Sequence, residues 1–199
     1  MDGSSTSRLE AFSDGVFAIA ATLLVLGFTV NVHDPHNSLA HQLLHDLRPA
    51  YLSYVTSFLT IGIIWINHHH VMETIARVDR TFLFINMLLL LVVAFIPFPT
   101  RLVAEASGER AAAYAYGVTL MLMAILFNVL WTYARGRRRL LFADMPAAKV
   151  RAVTLASAVG VPMTGLVTLV ATWTPLCSVV LAFAISAFYL PGAMLFDRD

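Results

Sequence analysis

The sequence predicts an all-α integral membrane protein with six transmembrane helices per chain. Three observations predict it. Hydrophobic residues make up 59% of the 199 and charged residues only 13%, against about 25% charged in a soluble domain. Uncharged apolar runs recur along the chain, each near the ~20 residues that cross a bilayer as a helix. The connections between them are short and leave no room for a soluble domain, so residues 1–199 read as one transmembrane unit.

The spans follow in order. The first is expected over about residues 8–32, with no charge from Gly15 onward. The second is expected over 49–72, the third over 81–100 and the fourth over 111–134. No charge occurs between Ala152 and Phe196, a stretch long enough for two crossings. Thr172-Trp173-Thr174-Pro175 is the natural break, giving spans over 152–172 and 175–196. Pro175 then falls in a first helical turn, where its missing N–H costs nothing. The connection from Asn31 to Arg48 carries Leu39, Leu43, Leu44 and Leu47 at helical spacing, which predicts a short interfacial helix.

Orientation comes from the cations. Arg8, Arg77, Arg80, Arg135, Arg137, Arg138, Arg139, Lys149, Arg151 and Arg198 fall on one side, ten of the 13 Lys and Arg. Only Arg48, Arg101 and Arg110 fall on the other. Cations accumulate in cytoplasmic loops, so both termini are expected in the cytoplasm. The first helix does not read as a cleaved leader: its one preceding cation, Arg8, sits among Asp2, Glu10 and Asp14.

Several function classes lack support. A net charge of +1 gives no reason to expect a nucleic-acid partner. The single Cys177 excludes a disulfide within the chain. No TVGYG filter, HExxH, GxSxG or P-loop pattern occurs, and no span carries a row of arginines. No cofactor and no enzymatic activity are expected. His68, His69 and His70 with Glu73 suggest metal, but adjacent histidines point in different directions on a helix. His41 and His45 have better spacing, with a polar helix face as the plain alternative. No metal site is assigned to either group.

The first span has a pronounced sidedness. At 100° per residue, Arg8, Phe12, Gly15, Ile19, Leu23, Leu26 and Val30 form one stripe about 80° wide. Ser13 and Asp14 point elsewhere, and Leu24 lies on the opposite face. A carboxylate in a spanning helix is costly, so Asp14 should be paired or wet. Trp65 and His69, four apart on one face of the second helix, are its expected partners. Gly15, Ala18 and Ala21 allow close helix approach.

Arg8, Phe12, Ser13 and Asp14 form RxxxFSD, followed by Gly15-Val16-Phe17-Ala18-Ile19 and Thr22-Leu23-Leu24-Val25-Leu26. Trp65-Ile66-Asn67-His68-His69, Val78-Asp79-Arg80 and Pro97-Phe98-Pro99-Thr100 follow in order. These segments resemble the transmembrane protein 175 family, the lysosomal potassium channel and its bacterial relatives. His70 departs from the pattern, since relatives often carry a basic residue there.

The resemblance implies a potassium-permeable channel of a bacterial inner membrane, passing K⁺ in preference to Na⁺ among monovalent cations. It implies a homotetramer of single six-helix units in the lipid bilayer, with first helices lining a central pore. On that reading Ile19, Leu23 and Leu26 form a hydrophobic constriction, and Thr22 touches the pore edge or bonds back to its own helix. Arg8, Phe12, Ser13, Asp14, Trp65 and His69 form a polar network that anchors the first helix. A cation-coordinating entrance at Arg8, Ser13 and Asp14 is the alternative, and the network is favoured because Asp14 points off the stripe. The competing function is a secondary transporter or proton-coupled carrier using Asp14 and the histidines.

Overall fold

The computed structural model describes residues 3–30, 38–106, 108–136, 140–171, 173, 174, 177 and 179–186. Every regular element named for them is helical. Five helical stretches are long and apolar enough to cross a membrane: Thr6–Gly27, Arg48–Thr74, Arg80–Glu105, Arg110–Gly136 and Ala147–Val170. Residues 179–186 are also helical. The remainder of the expected sixth span, most of it beyond residue 186, lies outside the described residues, as do Arg137, Arg138, Arg139 and Arg198.

Helix α1 (Gly3–Leu23) tightens into a 3-10 turn over Leu24–Gly27 and then runs extended from Phe28. It is therefore shorter at its C-terminal end than the expected 8–32. Phe28 takes the place of further helix, packing its ring on Tyr51 and Tyr54 at 5.1 and 5.4 Å. The short α2 (Leu39–His41) is capped by Ser38, whose hydroxyl accepts the His41 N–H at 3.2 Å. A wider π turn over Gln42–Asp46 continues it. The expected interfacial helix is thus present in irregular form, with Leu47 buried and Leu39, Leu43 and Leu44 exposed.

Helix α3 (Arg48–Thr74) begins with Pro49, where a missing N–H is harmless. Helix α4 (Arg80–Phe95) begins at Asp79, whose carboxylate accepts the Phe82 N–H at 2.9 Å. The other carboxylate oxygen of Asp79 accepts the Tyr133 hydroxyl at 2.8 Å, which fixes this helix start against α6 (Arg110–Gly136). The expected third span is broken at Ile96. Pro97 and Pro99 have no N–H to offer Val93 and Phe95, so the ladder stops and restarts as α5 (Pro97–Glu105). Helix α7 spans Ala147–Val170.

Helix α1 packs against α3 and α4, α6 against α4 and α7, and α5 fits between α3 and α6. The tightest approach is between α6 and α7. A Cβ on Gly117 would lie 2.7 Å from Thr168 Oγ1 and 3.0 Å from Thr168 Cα, so only glycine fits there without a shift. Trp131 on α6 donates its indole N–H to Thr154 of α7 at 2.9 Å. Much of the apolar surface faces outward, Phe84, Met87, Leu91 and Leu155 among it. Lipid tails solvate such a surface as well as a protein core would.

Between α3 and α4 the chain is strapped at the C-terminal end of α3. Ala76 donates its N–H to the Leu140 carbonyl at 2.8 Å, and Phe142 to that of Thr74 at 3.2 Å. This two-sided backbone pairing ties the end of α3 to the α6–α7 connection.

Candidate functional site: the two faces of the first helix

The buried face of α1 carries Ser13, Phe17, Ala20 and, in the 3-10 turn, Leu24. The stripe read from the sequence is the opposite case. Arg8, Phe12, Gly15, Ile19, Leu23, Leu26 and Val30 are all exposed in the single chain. Ile19 is 60% exposed, Leu23 41% and Leu26 67%, about one helical turn apart. An apolar row of this length on one side of one helix needs lipid or another protein surface over it. Thr22 is exposed beside the row, and its hydroxyl donates to the Ile19 carbonyl at 2.9 Å, the local bond that competes with outward use.

Ser13 is fully buried and heads a one-way chain of donors. Its hydroxyl donates to the Leu9 carbonyl at 2.9 Å. The Asn86 amide on α4 donates to the Ser13 hydroxyl at 3.1 Å. His68 Nε2 lies 2.8 Å from Asn86 Oδ1, and since the amide oxygen only accepts, Nε2 carries the proton. The His68 ring packs on Phe17 at 5.4 Å, and its Nδ1 is buried without a hydrogen-bond partner. Three helices therefore meet in a buried hydrogen-bonded chain. Truncating any member leaves buried polar atoms unpaired, which costs about 1–3 kcal/mol each.

A second set lies at the same level but nearer the surface. Asp14 accepts the Trp65 indole N–H at 2.8 Å. The Trp65 ring stacks on His69 at 6.1 Å between centroids, and His69 Nδ1 lies 3.2 Å from Glu10 Oε1. Glu10 and Asp14 are four apart on α1, Trp65 and His69 four apart on α3, and the two pairs face each other.

Of the six residues expected in the network, Ser13 bonds to α4, and Asp14, Trp65 and His69 are brought together between α1 and α3. Phe12 and Arg8 are not: both are exposed on the stripe side, and Arg8 has no ion-pair partner among the described residues. Asn86, His68 and Glu10 join the network without having been read into it. Asn86 had a signal, being the one polar residue between Thr81 and Pro97. His41 and His45 stack at 4.8 Å in the connection before α3, with His41 Nδ1 3.5 Å from Asp46.

The family model described as "Endosomal/lysosomal potassium channel TMEM175" matches residues 8–97. A potassium channel of Streptomyces collinus is 43% identical over 166 residues, 80% of each chain. The chain belongs to the TMEM175 family. Its fold matches the crystal structure of a lysosomal potassium-selective channel TMEM175 homolog from Chamaesiphon minutus, with a TM-score of 0.86 and 37% identity. That match covers 96% of this chain and 98% of the other. The endosomal/lysosomal proton channel TMEM175 of Gallus gallus is 36% identical over 142 residues, 65% of this chain and 28% of its own.

Family membership and five apolar crossing helices make this a multi-pass membrane protein. The motif residues Arg8 to Asp14, Trp65 to His69 and Val78 to Arg80 all fall inside the matched range. The side chains of Ser13, Asp14, Trp65, His68 and His69 inside it are the ones that hold α1 to α3 and α4.

Proposed function

We propose that the chain is one subunit of a potassium-permeable cation channel, four copies surrounding a central pore lined by α1. The observation that carries this reading is the row Ile19, Leu23 and Leu26, apolar and exposed on the helix whose other side is anchored by polar bonds. Lipid could cover such a row, but the Streptomyces relative is named a potassium channel, and the matched crystal structure is titled a potassium-selective one. Neither is an enzyme.

Each chain contributes six crossings as one unit, the sixth over about 175–196, with both termini in the cytoplasm of a bacterial cell. Four Ile19 side chains form the innermost apolar ring, with Leu23 and Leu26 further out. Such a ring offers no oxygen ligands, so an ion crosses with much of its water still attached. K⁺ holds its water less tightly than Na⁺, and the constriction therefore passes K⁺ at lower cost. The His68–Asn86–Ser13 chain and the Asp14–Trp65 bond set the rotation of α1 and act structurally, away from the ion path.

Proton permeation is a second reading, favoured by the proton-channel name of the Gallus relative. Purified protein in a voltage-clamped bilayer under K⁺, Na⁺ and proton gradients separates the readings. The potassium reading expects currents at single-channel rates that reverse near the K⁺ equilibrium potential. Flux at carrier rates, or reversal that follows the proton gradient, would overturn it.

A further inference from the structure

His69 on α3 stands between two carboxylates. Its Nδ1 lies 3.2 Å from Glu10 Oε1 on α1, and its Nε2 lies 3.5 Å from Glu73 Oε1 one turn further along α3. A neutral imidazole has one N–H and one lone pair. In this position it can donate to only one carboxylate, and its lone pair then faces an oxygen of the other. An imidazolium presents a charged N–H toward both. The arrangement thus distinguishes the two protonation states of the ring.

The surroundings say which partner is let go. Glu73 has another cationic partner, Lys149 Nζ of α7, 3.2 Å from its Oε2, and His70 Nδ1 lies 3.5 Å from the same oxygen. The end of α3 is further fixed by its backbone pairing with Leu140 and Phe142. Glu10 has no ion-pair partner other than His69 among the described residues. The remaining groups around His69 are Trp65 stacked on it, Asp14 of α1 bonded to Trp65, and the buried His68 beside it. Arg8, two residues before Glu10, is exposed.

We propose that His69 is a proton-operated clamp on the inner end of α1: protonated, it ties Glu10 to Glu73, and neutral, it releases Glu10. Protons on the cytoplasmic side then set how firmly α1 is held. The effect on current rests on the channel reading above, whereas the clamp itself stands on the side-chain geometry.

The test uses the full chain in lipid nanodiscs. Amide hydrogen exchange of residues 7–14 is measured at pH 6 and pH 8 and corrected for intrinsic rates. A partly exposed pair of this kind is worth a protection change of about two- to fivefold, higher at pH 6. Glu10→Gln and His69→Gln should each abolish the difference. His69→Arg should keep protection high at both pH values, and His41→Gln on the outer side should leave the difference intact. An unchanged pH difference in Glu10→Gln would overturn the clamp. K⁺ flux with the inner-side pH stepped over the same range is the second readout. A wild-type protein that passes no K⁺ would defeat the channel reading and leave the exchange result standing. Flux that ignores inner pH while exchange responds would overturn the clamp's control of current.

Discussion

The Asn86 amide donates to the Ser13 hydroxyl across 3.1 Å, joining α4 to the buried side of the helix whose exposed side carries Ile19. One bond therefore helps to decide which residues of α1 face outward. Rotation of α1 by a quarter turn would bury part of the apolar row and expose Ser13. It would also break the Asn86–Ser13 and Trp65–Asp14 bonds, the two that tie α1 to its neighbours here.

Replacing Asn86 with Leu should destabilise the protein by about 1–3 kcal/mol, because His68 Nε2 loses its buried acceptor and Ser13 its donor. The thermal midpoint of the detergent-solubilised protein, followed by size-exclusion profile, checks this. An unchanged midpoint would mean that the buried chain holds nothing together.

Arg8 and Trp65 belong to one motif reading but occupy different places, and their variants should differ. Trp65→Phe removes the 2.8 Å bond to Asp14 and should cost about 1 kcal/mol of protomer stability. Arg8→Ala touches no described partner and should change protomer stability by under about 0.5 kcal/mol. Crosslinking yield of the proposed tetramer is measured alongside. A loss of tetramer in Arg8→Ala with unchanged protomer stability would place the partner of Arg8 on another copy.

The contact of α6 with α7 leaves no room at Gly117. Gly117→Ala should lower stability by about 1–3 kcal/mol through overpacking against Thr168. Gly165→Ala, where an added Cβ meets nothing within 4 Å, should be neutral or slightly stabilising in the same melt. Equal midpoints for the two variants would contradict the packing described.

The orientation is checked by labelling in intact cells, in a Cys177→Ser background. Glu105→Cys, at the end of α5, should react with an impermeant maleimide from outside. Lys149→Cys, at the start of α7, should react only after the membrane is opened. Labelling of Lys149→Cys in sealed cells would invert the topology.

The parts of the fold legible in the sequence are those that depend on composition and period. Long apolar runs placed α3, α6 and α7 to within a few residues, since hydrocarbon thickness fixes their length. The helical period placed Ile19, Leu23 and Leu26 together and Leu24 behind them, as observed. Backbone effects without a hydropathy signal were not legible. The 3-10 turn at Leu24–Gly27 lies inside an apolar run that continues across it, and the break at Ile96, though marked by Pro97 and Pro99, falls where hydropathy alone reads one unbroken span. The polar knot in which Ser57 bonds Thr100 at 2.8 Å and Tyr116 at 3.0 Å joins residues distant in sequence. Period cannot pair such residues. Asp14 with Trp65 was legible because a costly carboxylate needs a donor at its own depth. Asn86 was not, because its partner His68 was read only as one of three adjacent histidines.

The proposed constriction is tested most directly by the reversal potential and unitary current of Ile19→Asn in a bilayer with K⁺ on one side and Na⁺ on the other. Leu91→Ala, changed at an exposed site on α4, serves as control. An asparagine ring of similar size wets the apolar barrier without widening it. The unitary current should therefore rise, and the reversal potential should move toward zero as preference for K⁺ weakens. Leu91→Ala should match the wild type in both. An Ile19→Asn channel with wild-type current and reversal potential, or a Leu91→Ala channel altered as much, would mean that Ile19 does not face the ion path.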